Sequence, residues 1–110
     1  MARKCKHTFR PGCEDLEGRQ LLLTITNVYS GKVLDDTGFS TRNGTLIQQW
    51  QSNGGLNQQW NLVPLRDGNF EIQNVYSGKV LDDTGFSKRN GTPIQQWQWN
   101  NTLNQEWKVG

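Results

Sequence analysis

The chain has 110 residues, 33% of them apolar and 20% charged, with a mean hydropathy of -0.80; that is one domain at most and excludes a multidomain enzyme. Eleven Asn and eleven Gln make up a fifth of the sequence, so little material remains for a core. The formal charge of +2 is local, because residues 1–20 hold five Lys or Arg against three acids while the other ninety residues balance at seven of each sign; a neutral folded part lacks the basic face that nucleic acid or an acidic lipid surface requires.

Residues 1–20 read as a disordered or unrelated leader. Cys5, His7 and Cys13 offer three metal-type ligands with no second pair at metal spacing, so no metal site and no cofactor are expected. A charged start leads to Arg10-Pro11-Gly12 without an apolar stretch, so no secretory signal peptide is readable. No run approaches the roughly 18 apolar residues of a membrane span.

Residues 21–110 form the expected domain, in units of about 22–68 and 69–110. Asn27 through Ser40 recurs unchanged as Asn74 through Ser87, an offset of 47, and residues 27–63 match residues 74–110 at 28 of 37 positions. Short apolar runs punctuated by Gly and Asn predict an all-β unit of four strands: Leu21–Thr26, Lys32–Asp35, Leu46–Trp50 and Gln58–Val63. Asn43-Gly44 marks a tight turn before the third. The second unit repeats this with Phe70–Gln73, Lys79–Asp82, Ile94–Gln98 and Gln105–Val109, after a turn at Asp67-Gly68-Asn69.

Each unit carries two Gln-x-Trp motifs: Gln48-Gln49-Trp50 with Gln58-Gln59-Trp60, then Gln95-Gln96-Trp97 with Gln105-Glu106-Trp107. With Ser-Gly-Lys-Val-Leu-Asp ahead of them, these resemble the ricin B-type lectin family over about residues 22–110. The resemblance implies a β-trefoil of three four-stranded units, two strands of each closing a barrel and two forming a hairpin cap. Two units are readable, so the expected fold is an incomplete trefoil with unpaired strand edges and an open core. Three resolutions stand open. The chain is a fragment of a longer protein, which the change of composition near Gln20 favours; or three chains exchange units as a homo-oligomer (trimer) that completes two trefoils; or the monomer is partly open. Family habit implies an extracellular location.

A sugar presents a rim of hydroxyls around an apolar C–H face, so its site needs a flat aromatic and a few fixed donors and acceptors. The family builds such sites from an Asp after the second strand, an aromatic in the third and an Asn-Gln pair before the fourth. Carried over by position, carbohydrate-binding roles fall on Asp35, Gln48, Trp50, Asn57 and Gln58, and on Asp82, Gln95, Trp97, Asn104 and Gln105. The carboxylates would accept from hydroxyls, the tryptophans stack, the asparagines donate and accept, and Gln48 and Gln95 orient the carboxylate or reach a hydroxyl. Alternative roles are structural: Asp35 and Asp82 capping turns, Gln58 and Gln105 bracing loops, Trp50 and Trp97 filling the barrel. Trp60 and Trp107 are assigned to the core, and Phe39 and Phe86 either cover the sugar or anchor their loop. The family's frequent disulfide would fall on Val33 with Ser52 and Val80 with Trp99, where no cysteine stands; Trp99 either replaces it as apolar filling or adds stacking area.

The expected function is non-catalytic binding of a glycan or polysaccharide, galactose-like sugars or plant polysaccharide such as xylan. The alternatives are the targeting fragment of a larger glycoside hydrolase and a non-lectin structural trefoil. Asp35-Asp36 and Asp82-Asp83 are adjacent carboxylates in polar turns, which is not the separated acid–base pair a hydrolase uses.

Overall fold

The computed structural model describes residues 21–110; the readings made on residues 1–20, with Cys5, His7 and Cys13, lie outside the described residues. The described chain is all-β. Its strands are β1 (Leu21–Leu23), β2 (Val33–Asp36), β3 (Ile47–Trp50), β4 (Trp60–Pro64), β5 (Phe70–Asn74), β6 (Val80–Asp83) and β7 (Ile94–Trp97). Single 3-10 turns at Thr37–Phe39, Leu56–Gln58, Thr84–Phe86 and Leu103–Gln105 connect them.

β1, β4, β5, β6 and β7 form one antiparallel sheet in that order, and β2 pairs with β3. Alternation sets the core: Trp60 and Leu62 of β4 and Phe70 and Ile72 of β5 turn to one side with Leu81, and Leu23, Ile25, Leu34, Ile47, Ile94 and Trp107 pack around them. Trp60 is fully buried and its indole N–H donates to Leu34 O at 3.2 Å. Trp107 repeats the bond to Leu81 O at 3.1 Å but is only partly buried.

The described residues form two β-trefoil repeats, and the offset of 47 maps the pair Leu23↔Trp60 onto Phe70↔Trp107. One expected strand is much reduced. Gln105–Val109 contributes only that single bridging pair. Its twin β4 is held between β1 and β5, whereas the Trp107 segment has a strand on one side alone. Leu21–Thr26 is likewise shortened to β1 plus the pair Thr26↔Val33.

Candidate functional site

The β2–β3 register sets Asp35 opposite Gln48 and Val33 opposite Trp50. Directly paired residues share a sheet face, so Asp35, Gln48 and Trp50 stand together. The 3-10 turn Leu56–Gln58 then brings two amides to the same carboxylate. Gln48 Nε2 donates to Asp35 Oδ1 at 3.0 Å, while Asn57 Nδ2 and Gln58 Nε2 donate to Oδ2 at 3.3 and 2.9 Å. Asp35 is 3% exposed, a carboxylate fixed by three amide donors at the floor of a hollow.

Unit two reproduces the arrangement. Gln95 Nε2 donates to Asp82 Oδ1 at 2.9 Å, and Asn104 Nδ2 and Gln105 Nε2 donate to Oδ2 at 3.2 and 2.9 Å. In each unit the Asn also donates to the next carbonyl, Asp36 O at 3.0 Å or Asp83 O at 3.1 Å, which ties the site to the strand end.

The first hollow encloses about 380 Å³ and is lined by Asp35, Thr37, Gly38, Phe39, Gln48, Trp50, Asn53 and Asn57. The second encloses about 260 Å³ between Asp82, Gly85, Phe86, Gln95, Trp97, Asn100 and Asn104. Trp50 and Trp97 are 53% and 38% exposed, so they wall the hollows rather than fill the barrel. Phe39 and Phe86 stand over them from left-handed backbone, φ 55° and 57°, a conformation uncommon for an aromatic residue. Sequence reasoning missed Thr37, Asn53 and Asn100 as lining groups; the signal available was that Thr37 and Asn53 recur, 47 residues on, as Thr84 and Asn100.

Three of the residues weighed for sugar contact stand apart from the hollows. Gln58 and Gln105, named for sugar contact, are 1% and 0% exposed and do not line the hollows. Each braces its loop instead, donating to Gln51 O at 2.9 Å or Gln98 O at 3.0 Å while its carbonyl accepts the Asn53 or Asn100 N–H at 2.9 Å. Trp99 is partly buried and lines neither hollow, so it adds no stacking area to the second.

The hollows differ in volume, in the exposure of their tryptophans and around the cage asparagine. In the first, Asn57 Oδ1 is buried without a partner. In the second, Thr102 Oγ1 lies against both Asn104 Oδ1, at 2.6 Å, and Asn100 Oδ1, and its one proton serves only one of them. Gly55 occupies the Thr102 position in unit one, and a Cβ there would fall 2.6 Å from Asn57 Oδ1 and 3.2 Å from the Phe39 ring.

Asp36 is sealed at 0% exposure, and neither oxygen accepts a hydrogen bond of ordinary geometry. Burial first, and the Asp35 charge second, push its carboxyl up to about 6, partly offset by the Ser40 backbone N–H. It does not line the hollow, so this raised acid is not placed to protonate a ligand. No group of three or more His, Cys, Asp and Glu suited to a metal occurs among the described residues.

The sequence matches the family described as "Ricin-type beta-trefoil lectin domain-like" over residues 15–97 and 57–110. No curated protein matches it. Among solved structures, the chain is similar to ThreeFoil, a designed 3-fold symmetric protein, at 34% identity and a TM-score of 0.78 over 82% of this chain and 68% of that one. It is similar to an exo-β-1,3-galactanase from Clostridium thermocellum at 35% identity and a TM-score of 0.75, over 81% of this chain but only 21% of the enzyme. A Polyporus squamosus lectin, solved with Neu5Acα2-6Galβ1-4GlcNAc, aligns at 26% identity and a TM-score of 0.69 over 83% of this chain and 32% of the lectin.

Proposed function

The chain belongs to the ricin-type β-trefoil lectin domain-like family, whose members bind carbohydrate, and on that footing we propose that it is a non-catalytic module holding galactose-like residues in the hollows above Asp35 and Asp82. The observation that carries the reading is the duplicated carboxylate cage: in both units one Asp is held by three side-chain amides beside an exposed Trp. Trp50 and Trp97 stack on the C–H face of the sugar. The free lone pairs of the fixed carboxylate and the Gln48 amide meet the hydroxyl rim. Galactose is favoured over xylan because one similar structure is named a galactanase and another is a lectin bound to Neu5Acα2-6Galβ1-4GlcNAc.

Shallow single sites of this kind bind on the order of millimolar, about 4 kcal/mol. Two on one chain raise retention on a polymer through effective concentration. Similarity to about a fifth of a galactanase supports a second reading, in which the module serves to hold a hydrolase on its polysaccharide.

Affinity electrophoresis in galactan and in xylan separates the outcomes. Galactan is expected to retard the chain and xylan not, with retardation lost on Trp50→Ala plus Trp97→Ala while the circular dichroism spectrum is unchanged. Equal retardation in both gels, or retardation that survives the double substitution, contradicts the assignment.

A further inference from the structure

The first hollow has a cage at its floor and an aromatic cover over it, and residues of unit two hold both. The cage depends on Asn57, whose side chain reaches the Asp35 carboxylate from a 3-10 turn. The backbone of that turn is gripped from the end of β5: Asn74 Nδ2 donates to Asn57 O at 3.0 Å, and Val75 N to Gln59 O at 2.9 Å. Asn74 is fully buried, and its side-chain carbonyl accepts the Tyr76 and Ser77 N–H at 3.0 and 3.1 Å. One side chain therefore ties the cage turn of unit one to the turn that carries Tyr76.

The cover is Phe39. It is 47% exposed, so the core does not hold it, and its left-handed backbone carries a strain that local contacts must offset. Tyr76 packs edge-on against the Phe39 ring, with centres 5.0 Å apart and planes at 86°. Gln96, fully buried in β7, donates from Nε2 to the carbonyl of Ser40, the residue after Phe39, at 3.0 Å. The tip of the Phe39 ring also touches Gly55, one residue ahead of the cage turn. Cover and cage thus meet at Gly55, and each is anchored to unit two.

None of Asn74, Tyr76 and Gln96 lines the hollow. We infer that Tyr76, seconded by Asn74 and Gln96, is a positioning residue of the first sugar site, which makes that hollow a site of both units rather than of one hairpin. The inference rests on the sugar reading given above. An edge-on pair sets the tilt of a ring as well as its place, because the positive edge of one ring meets the negative face of the other. A sugar entering the hollow then meets a cover already in position, and binding does not have to order it. The aromatic ring of Tyr76 performs this role, not its hydroxyl.

Titration of galactose into the labelled 110-residue chain reads the two hollows apart, the first at the Trp50 indole and the second at the Trp97 indole. Tyr76 is 43% exposed and outside the core, so its ring can be removed with the fold kept. Tyr76→Ala is expected to weaken the first hollow by about fivefold, the ratio that one edge-on aromatic pair is worth, and to leave the second unchanged. Tyr76→Phe is expected to bind as wild type at both. In the sugar-free protein the cross-peak between the Phe39 ring and Gly55 is expected to fade in Tyr76→Ala and to persist in Tyr76→Phe. Unchanged affinity at Trp50 in Tyr76→Ala, an equal loss at both tryptophans, a cross-peak that does not fade, or a loss in Tyr76→Phe overturns the inference. A wild-type chain in which neither tryptophan shifts with galactose overturns the sugar reading itself, and the inference with it, before any variant is compared.

Discussion

At the scale of the residue, Asp35 holds its site together as much as it recognises a ligand. It satisfies three amide donors, two of them buried, and a donor orphaned in the interior costs about 1–3 kcal/mol. Asp35→Ala is therefore expected to lower the melting temperature as well as abolish binding, so Trp50→Ala is the cleaner probe of the sugar contact. The cage asparagine gives a second prediction. Gly55→Thr is expected to weaken the first site by about fivefold, the worth of one net hydrogen bond, because a Cβ 2.6 Å from Asn57 Oδ1 displaces the Asn57 side chain from Asp35. Calorimetric titration of the variant reads the loss.

Asp36 predicts a pH dependence. Its folded carboxyl titrates near 6 against an ordinary 3.8, so the protonated form is the one the fold favours. Its stabilising contribution is full below about pH 4 and is lost as pH rises through about 6, a difference of about 3 kcal/mol. Asp36→Asn is expected to melt higher than wild type at pH 8 and to lose that advantage at pH 4. A constant gap across the range contradicts the argument. The residues of the carboxylate cage were legible as a set because they recur together. The division of labour between Asn57 and Gln58 was not, because two adjacent amides in one 3-10 turn point to different places and only packing decides which faces the hollow.

At the scale of the element, the repeat and its turns made most strands readable in advance, since Gly and Asn punctuation bounded each apolar run. The last strand was not, because pairing depends on a neighbour as well as on its own residues: the Gln105–Val109 segment and β4 share a pattern but not a second partner. The same contrast separates the two core tryptophans. Trp60→Ala is expected to cost roughly 3–5 kcal/mol by opening a cavity in the core, most of the stability of a small domain. Trp107→Ala is expected to cost less, because Trp107 is only partly buried. Urea unfolding of the two variants side by side tests the order.

At the scale of the whole molecule, a small core cluster of five buried apolar residues, Trp60, Leu62, Phe70, Ile72 and Leu81, supports two shallow hollows built on β-hairpins and the 3-10 turns beside them. Rigid placement suits a module whose ligand is weakly held at each point and gains from repetition. The most direct test is to titrate galactose into labelled protein and map which resonances move. The account predicts saturable shifts at millimolar sugar centred on the Trp50 indole and the Gln48 and Asn57 side-chain amides, with weaker changes at Trp97, Gln95 and Asn104; no shift, or shifts centred away from both hollows, would contradict it.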